Sequence, residues 1–150
     1  MEVIEFEISN NTNKEKYAFD IKYIDEVFRY KKVTPLPCTP SFIIGIINFR
    51  GKILSVIDIR NFIGFTSDAK NFNEVRQVIV VKVNEFEVGI AVDNILGYYS
   101  ISFEEIQQTV LTITNERKEF FIGIAQNSTI VLDIKNIMLS EKIIVNDSVF

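Results

Sequence analysis

Thr34 to Ile63 reads TPLPCTPSFIIGIINFRGKILSVIDIRNFI. Pro35, Pro37 and Pro40 hold the lead-in extended and preclude a regular helix there. An apolar run follows, then the polar tip Asn48-Phe49-Arg50-Gly51, then a second apolar run closed by Asp58-Ile59-Arg60-Asn61. Two β-branched runs about a glycine-bearing tip predict a hairpin of largely buried strands, with Gly51 supplying turn geometry that other residues resist. Ser41 is expected to cap a short turn over Phe42 to Ile44 before the hairpin begins. Arg50 stands charged at the end of an otherwise apolar unit.

A degraded copy of this stretch returns later. Ile44-Gly45-Ile46 matches Ile122-Gly123-Ile124, 78 residues on, and Ile57-Asp58-Ile59-Arg60-Asn61-Phe62-Ile63 matches Leu132-Asp133-Ile134-Lys135-Asn136-Ile137-Met138, 75 residues on. The loss of three residues falls in the turn, where deletions cost least. A weaker echo pairs Tyr17, Phe19 and Ile21 with Phe86, Val88 and Ile90. Two similar small β units, each too small to be stable alone, are expected to bury their faces together. The copies differ at the tip, which is Asn48-Phe49-Arg50-Gly51 in the first and Gln126-Asn127-Ser128 in the second. The charged, glycine-backed version reads as an added function on a duplicated frame.

Alternation over Val3 to Ile8 and again over Tyr17 to Ile21 predicts an opening hairpin. Ile21, Ile24 and Phe28 have helical spacing while Val27 to Val33 is strand-like, so one helical turn should run into a strand. Gly64 to Asn73, GFTSDAKNFN, is polar and predicts a connection between the halves. Strands are expected over Gln77 to Val83, Phe86 to Val92 and Ile95 to Ile101, and Ser102-Phe103-Glu104-Glu105 reads as a capping box. Residues 107–118 are polar and irregular; Glu119 to Ala125 and Thr129 to Ile134 predict a last hairpin, and Lys135 to Leu139 a short helix. The mixed tail from Ser140 to Phe150 offers Ile143 to Val145 either as a further strand or as apolar residues packed on the rest of the fold.

The chain has 150 residues, 47% of them hydrophobic, with 13 Phe and no Trp, enough for the core of one domain. A net charge of −4 without basic clusters argues against a nucleic-acid partner. No apolar run approaches the roughly 20 residues of a membrane span, and the acidic start MEVIEFEIS does not read as a secretory signal. A single Cys38 forms no internal disulfide, so a cytoplasmic location is expected. Without His, and with one Cys, the commonest metal ligands and imidazole bases are missing; no cofactor and no metal are expected. Gly45 to Ile53 lacks the Ser or Thr and the helix of a phosphate loop, and no serine has a nucleophile-elbow context. Asp58 and Asp133 recur where a strand yields to a helical turn, which is a capping position rather than a catalytic one. Asp93, at a strand end, is expected to bond a nearby turn. The reading is a non-enzyme.

Among residues suited to binding, Arg50 is the sharpest, as an anchor projecting from a rigid hairpin. Cys38 is expected to be a small packed residue. Tyr98 and Tyr99 point to opposite faces of one strand, which predicts one core ring and one exposed ring. Apolar surface at the join of the two units would suit an amphipathic helix.

Pro37, Pro40, Phe42, Gly45, Asn48, Arg50, Gly51, Val56-Ile57-Asp58 and Arg60 resemble the signature of CheW-like domains, of the form IP..P.FI.G..N.RG.I.PV.D.R. Val78 to Val81, followed by Val88-Gly89-Ile90-Ala91-Val92-Asp93 and Ile95, is similar to the family's second-half pattern. The resemblance runs from Phe6 to Leu139, with Ser55 in place of the family's usual proline, Phe49 in place of leucine, and Tyr98 bulkier than the common aliphatic. It implies a mainly β fold of two SH3-like five-stranded barrels around a shared core, with short helices. It implies one domain over residues 1–150, with a first barrel unit near 15–65, a second near 77–140, and the N-terminal strand and C-terminal segment completing them. It further implies a non-catalytic chemotaxis adaptor joining the regulatory domain of a CheA-type histidine kinase to the cytoplasmic tips of methyl-accepting chemoreceptors, recruited to receptor arrays at the inner face of the membrane without inserting into it. Carried over by position, Asn48, Arg50, Gly51, Val92, Ile95 and Tyr98 are the receptor-binding residues, the last three lining a groove between the barrels. Ile24, Glu26 and Val27 are the kinase-binding residues, and Arg50→Glu is expected to weaken receptor binding while sparing the kinase. Two alternatives stay open: a CheW-like scaffold for another kinase system such as pilus motility, and a small-molecule-binding β module using the inter-barrel groove.

Overall fold

The structure, a computed structural model, describes residues 1–9, 14–64, 75–108 and 115–140. The connection expected over Gly64 to Asn73 lies, beyond Gly64, outside the described residues, as do 109–114 and the tail after Ser140.

The opening hairpin is β1 (Glu2–Ser9) against β2 (Lys14–Asp20). A 3-10 turn, Ile21–Tyr23, carries the chain into β3 (Ile24–Lys32), so the conflicting periodicities of that stretch reflect two elements in succession. β4 (Ile43–Phe49) and β5 (Lys52–Ile57) form the hairpin read from the sequence, followed by α1 (Ile59–Phe62). The turn before β4 is closed by the Ile43 N–H on the Pro40 carbonyl at 2.9 Å, with Ser41 inside it rather than capping it; the Ser41 hydroxyl donates to Asn61 Oδ1 at 2.9 Å. The second half holds β6 (Val75–Val83), β7 (Phe86–Val92), β8 (Asn94–Ser100), a 3-10 turn at Phe103–Glu105, β9 (Phe121–Ile124), β10 (Ile130–Leu132) and α2 (Ile134–Met138). The Glu105 carboxylate accepts from the Ser102 N–H at 3.4 Å, the return bond of the expected capping box.

The strands form two five-stranded sheets, ordered β3-β6-β7-β5-β4 and β8-β1-β2-β10-β9. Each closes on itself. Thr34, just past β3, exchanges both backbone hydrogen bonds with Ile46 of β4, each at 2.9 Å. Gln107, past β8, does the same with Ile124 of β9, at 2.9 and 2.8 Å. The duplicated glycines permit both closures. A Cβ on Gly45 would stand 2.3 Å from the Thr34 carbonyl oxygen, and one on Gly123 would stand 2.4 Å from that of Gln107.

The two barrels are one pattern in different chain order. The first runs β3, β4, β5, β6, β7; the second runs β8, β9, β10 and then borrows β1 and β2 from the start of the chain. A division near 15–65 and 77–140 therefore does not follow the barrels, since β6 and β7 complete the first one and residues 2–20 complete the second. Strand pairing decides this where linear repeat spacing does not: β5 lies parallel to β7 with Val56 opposite Gly89, and β10 lies parallel to β2 with Val131 opposite Ala18. That pairing also moves the weak echo by one pleat, matching Ala18 to Gly89 instead of Tyr17 to Phe86.

Apolar residues fill three regions. A shared core between the barrels takes Ile4, Phe6, Tyr17 and Phe19 from one side and Ile57, Ile79, Ile90 and Val92 from the other, with α1 and α2 packed into it through Ile59, Phe62, Ile134 and Ile137. The first barrel is filled by Val33, Ile47, Phe49, Leu54, Val56, Val78, Val80 and Ala91. The second barrel holds only Val3, Ala18, Ile101, Ile106, Ala125 and Val131. Strands with one face in a barrel and the other in the shared core must be apolar on both, which is why Val78-Ile79-Val80-Val81 is unbroken.

Candidate interaction surface

The tip of the β4–β5 hairpin is a two-residue loop, Arg50-Gly51, in which both residues have positive φ, 52° and 79°. This is the turn whose twist matches that of the flanking strands. Asn48 Oδ1 accepts from the Gly51 N–H at 3.2 Å and braces it. The guanidinium of Arg50 lies over the Phe49 ring, 4.7 Å from its centroid, and reaches Asp25 at 3.4 Å and Glu26 at 3.8 Å. Phe49 is itself buried, so the cation sits on a fixed aromatic platform while its own side chain stays 63% exposed.

The receptor and kinase sets expected from the sequence meet here. Glu26, expected to serve the kinase, pairs directly with Arg50, expected to serve the receptor; its other oxygen accepts from the Val27 N–H at 3.2 Å. Ile24 and Val27 are half-buried against the shared core. Asp25 is not singled out by the sequence, since a carboxylate near the start of a strand gives no signal of a partner twenty-five residues away.

Other expected residues are placed differently. Val92 is fully buried and Ile95 nearly so, both inside the shared core, so they do not line an open groove. Their strands join the barrels rather than border a cleft. Tyr98 is 56% exposed on β8. Neither ring of the Tyr98-Tyr99 pair is in the core, because β8 edges a barrel whose end is open; Tyr99 is 37% exposed and donates to Glu5 Oε2 at 3.1 Å. Cys38 is exposed with φ of 59°, on a proline-held loop rather than packed.

Several polar residues are structural. Asp58 Oδ1 accepts from the N–H groups of Arg60 and Asn61 at 3.1 and 3.5 Å, and Asp133 Oδ1 from that of Asn136 at 3.1 Å, both at helix starts. Asp93 Oδ2 accepts from the Ser9 N–H at 2.7 Å and so fastens the end of β1. Arg60 is almost wholly buried, 3.9 Å from Glu15, and Glu15 also accepts from the Tyr17 hydroxyl. Burial, then the hydrogen bond to Glu15 and its charge, push the Tyr17 hydroxyl well above the usual tyrosine range.

The family model for the CheW-like domain matches residues 2–142. The chain belongs to the CheW-like family. It is 30% identical over 138 residues to a chemotaxis protein CheW of Klebsiella aerogenes, covering 90% of this chain and 82% of that one. It is 32% identical over 108 residues to a chemotaxis protein CheW of Thermotoga maritima, covering 72% and 67%. Among solved structures it is similar to the scaffolding protein TtCheW of Thermoanaerobacter tengcongensis, with a TM-score of 0.70, 28% identity and 94% of each chain covered. The two β units read from the internal repeat are thus the paired barrels of the CheW-like fold.

Proposed function

We propose that this chain is a chemotaxis coupling adaptor, a non-catalytic scaffold that holds a CheA-type histidine kinase and chemoreceptors together in the cytoplasm. The family match over nearly the whole chain supports the class. The observation that carries the site is the difference between the two tips: only the first copy presents a cation, on a turn fixed by Asn48 and Phe49. A rigid, exposed Arg over an aromatic ring is a suitable hot-spot anchor. Asn48, Arg50, Gly51 and the exposed Tyr98 are proposed to face the receptor tip, and Ile24, Glu26 and Val27 the kinase regulatory domain. A bridge of this kind works through effective concentration, so modest individual interfaces suffice.

The Arg50–Glu26 pair changes how the assignment is tested. Arg50→Glu would set three carboxylates together and disturb the kinase side as well. Arg50→Gln removes the charge without adding repulsion. With purified kinase regulatory domain and a receptor hairpin fragment, Arg50→Gln should lose receptor binding by about tenfold, the scale of one hot-spot residue, and retain kinase binding. Unchanged receptor affinity would remove Arg50 from the site; a chain that binds neither partner would overturn the adaptor reading.

A further inference from the structure

Superposing the two barrels by strand register exposes a substitution of chemistry at one end. Val80 faces Gly89 in the first barrel and Glu5 faces Ala18 in the second, so Glu5 takes the place of Val80. By the same register Leu54 corresponds to Thr129 and Phe28 to Tyr99, while Asn127 follows Ile124 by the same three residues as Phe49 follows Ile46. In the first barrel these residues form an apolar plug, with the Phe28 and Phe49 rings edge-on at 5.9 Å above buried Leu54 and Val80. In the second barrel the corresponding described residues carry polar groups, and a cavity of about 400 Å³ opens, lined by Glu5, Tyr99, Ile101, Glu105, Ala125 and Asn127 among others.

The cavity has a definite polarity. Glu5 Oε2 accepts from the fully buried Thr129 hydroxyl at 2.7 Å and from the Tyr99 hydroxyl at 3.1 Å, which fixes the carboxylate. Both bonds fall on one oxygen, and a carboxylate has acceptor capacity for about four. Glu105 adds a second carboxylate to the lining, and among the described residues no Lys or Arg lines the cavity. Among the described residues Glu5 has no cationic partner, although a half-buried charge is costly where its counterpart is a valine. No group of three or more metal-ligating side chains occurs among the described residues, which favours an organic cation over a metal ion. Ile101 and Ala125 supply apolar wall for a short carbon chain.

We propose that the open end of the second barrel binds an alkylammonium group, with Glu5 as its counterion and Glu105 at the mouth. The site belongs to the second barrel, whereas the Arg50 tip belongs to the first. The ammonium belongs either to a diffusible diamine or to a lysine side chain of a bound polypeptide. Amide NMR of the full chain, titrated at physiological ionic strength with putrescine and separately with Nα-acetyl-lysine methylamide, distinguishes these sources. Saturable shifts at Tyr99 to Ile101 and Ala125 to Asn127 are expected for at least one probe, and the tighter probe names the source. Glu5→Gln should weaken binding about tenfold, as for a lost charged hydrogen bond, and Glu105→Gln, which leaves the barrel interior untouched, by a smaller factor. Absence of saturable shifts with both probes, equal affinity of both variants and the parent chain, or tighter binding of magnesium at the same amides would overturn the proposal.

Discussion

Arg50 on the β4–β5 tip and Asp25 at the head of β3 form an ion pair at 3.4 Å, so the tip is tied laterally to the strand beside it. With the Arg50 side chain 63% exposed, such a pair contributes only about 0–1 kcal/mol to stability. Its value is orientational. A double-mutant cycle of Asp25→Asn and Arg50→Gln by urea unfolding should give a coupling within that range. A larger coupling would make Arg50 a folding residue and weaken its reading as a binding anchor.

Both closure glycines should resist a side chain, Gly123 the more because its φ of 156° also disfavours one. Gly45→Ala and Gly123→Ala each push a methyl into a backbone carbonyl, at 2.3 and 2.4 Å, and neither carbonyl can move without breaking the bridge that closes its barrel. Each should lose about 1–3 kcal/mol in chemical denaturation, the range for overpacking. Gly51→Ala meets open space and should lose only about 1 kcal/mol, through its positive φ of 79°.

Alkaline titration should single out Tyr17. Its hydroxyl is raised in the folded chain, so below the ordinary tyrosine pKa of about 10 both folded and unfolded forms are protonated and its contribution is fully present. Above that pH the unfolded chain loses the proton first, and stability falls as pH rises. Absorbance at the tyrosinate band should show one of the five tyrosines ionising only with unfolding. Tyr17→Phe should remove that late step; its persistence in the variant would assign it elsewhere.

The repeated aspartates are helix caps. Asp58→Ala and Asp133→Ala should each lower stability by about 0.5–2 kcal/mol, with Asp58 at the upper end because it is 99% buried and serves two N–H groups. Asn retains the capping oxygen, so Asp58→Asn should recover much of the loss in thermal melts. Partner binding should be unaffected in all three.

Much of the fold was legible because its signals are local. The alternation of β1 and β2, the glycine-backed tip of β4–β5 and the aspartate at the head of each short helix are decided by neighbours within a few residues. Which strands share a barrel depends on pairing across the chain, and there the linear repeat misled: its spacing hides that β1 and β2 serve the second barrel. The site divides in the same way. Arg50 was visible as the charge at the tip of an apolar hairpin, whereas its partner Asp25, the burial of Val92 and Ile95 and the exposure of both Tyr98 and Tyr99 depend on tertiary placement. Glu5 read as an ordinary polar position in an alternating strand, and only the sister barrel shows that an apolar residue belongs there.

The borrowed strands have a consequence for synthesis. The β1–β2 hairpin leaves the ribosome before the other strands of its barrel, and Tyr17 finds its neighbour Ile130 only after more than a hundred further residues have been made. The first barrel, contiguous from β3 to β7, can close in the meantime and offer its half of the shared core to the waiting hairpin. Long-range pairing of this sort slows folding and leaves strand edges unprotected. Truncating the first twenty residues should therefore strip two of the five strands from the second barrel and leave the Arg50 barrel with its full set.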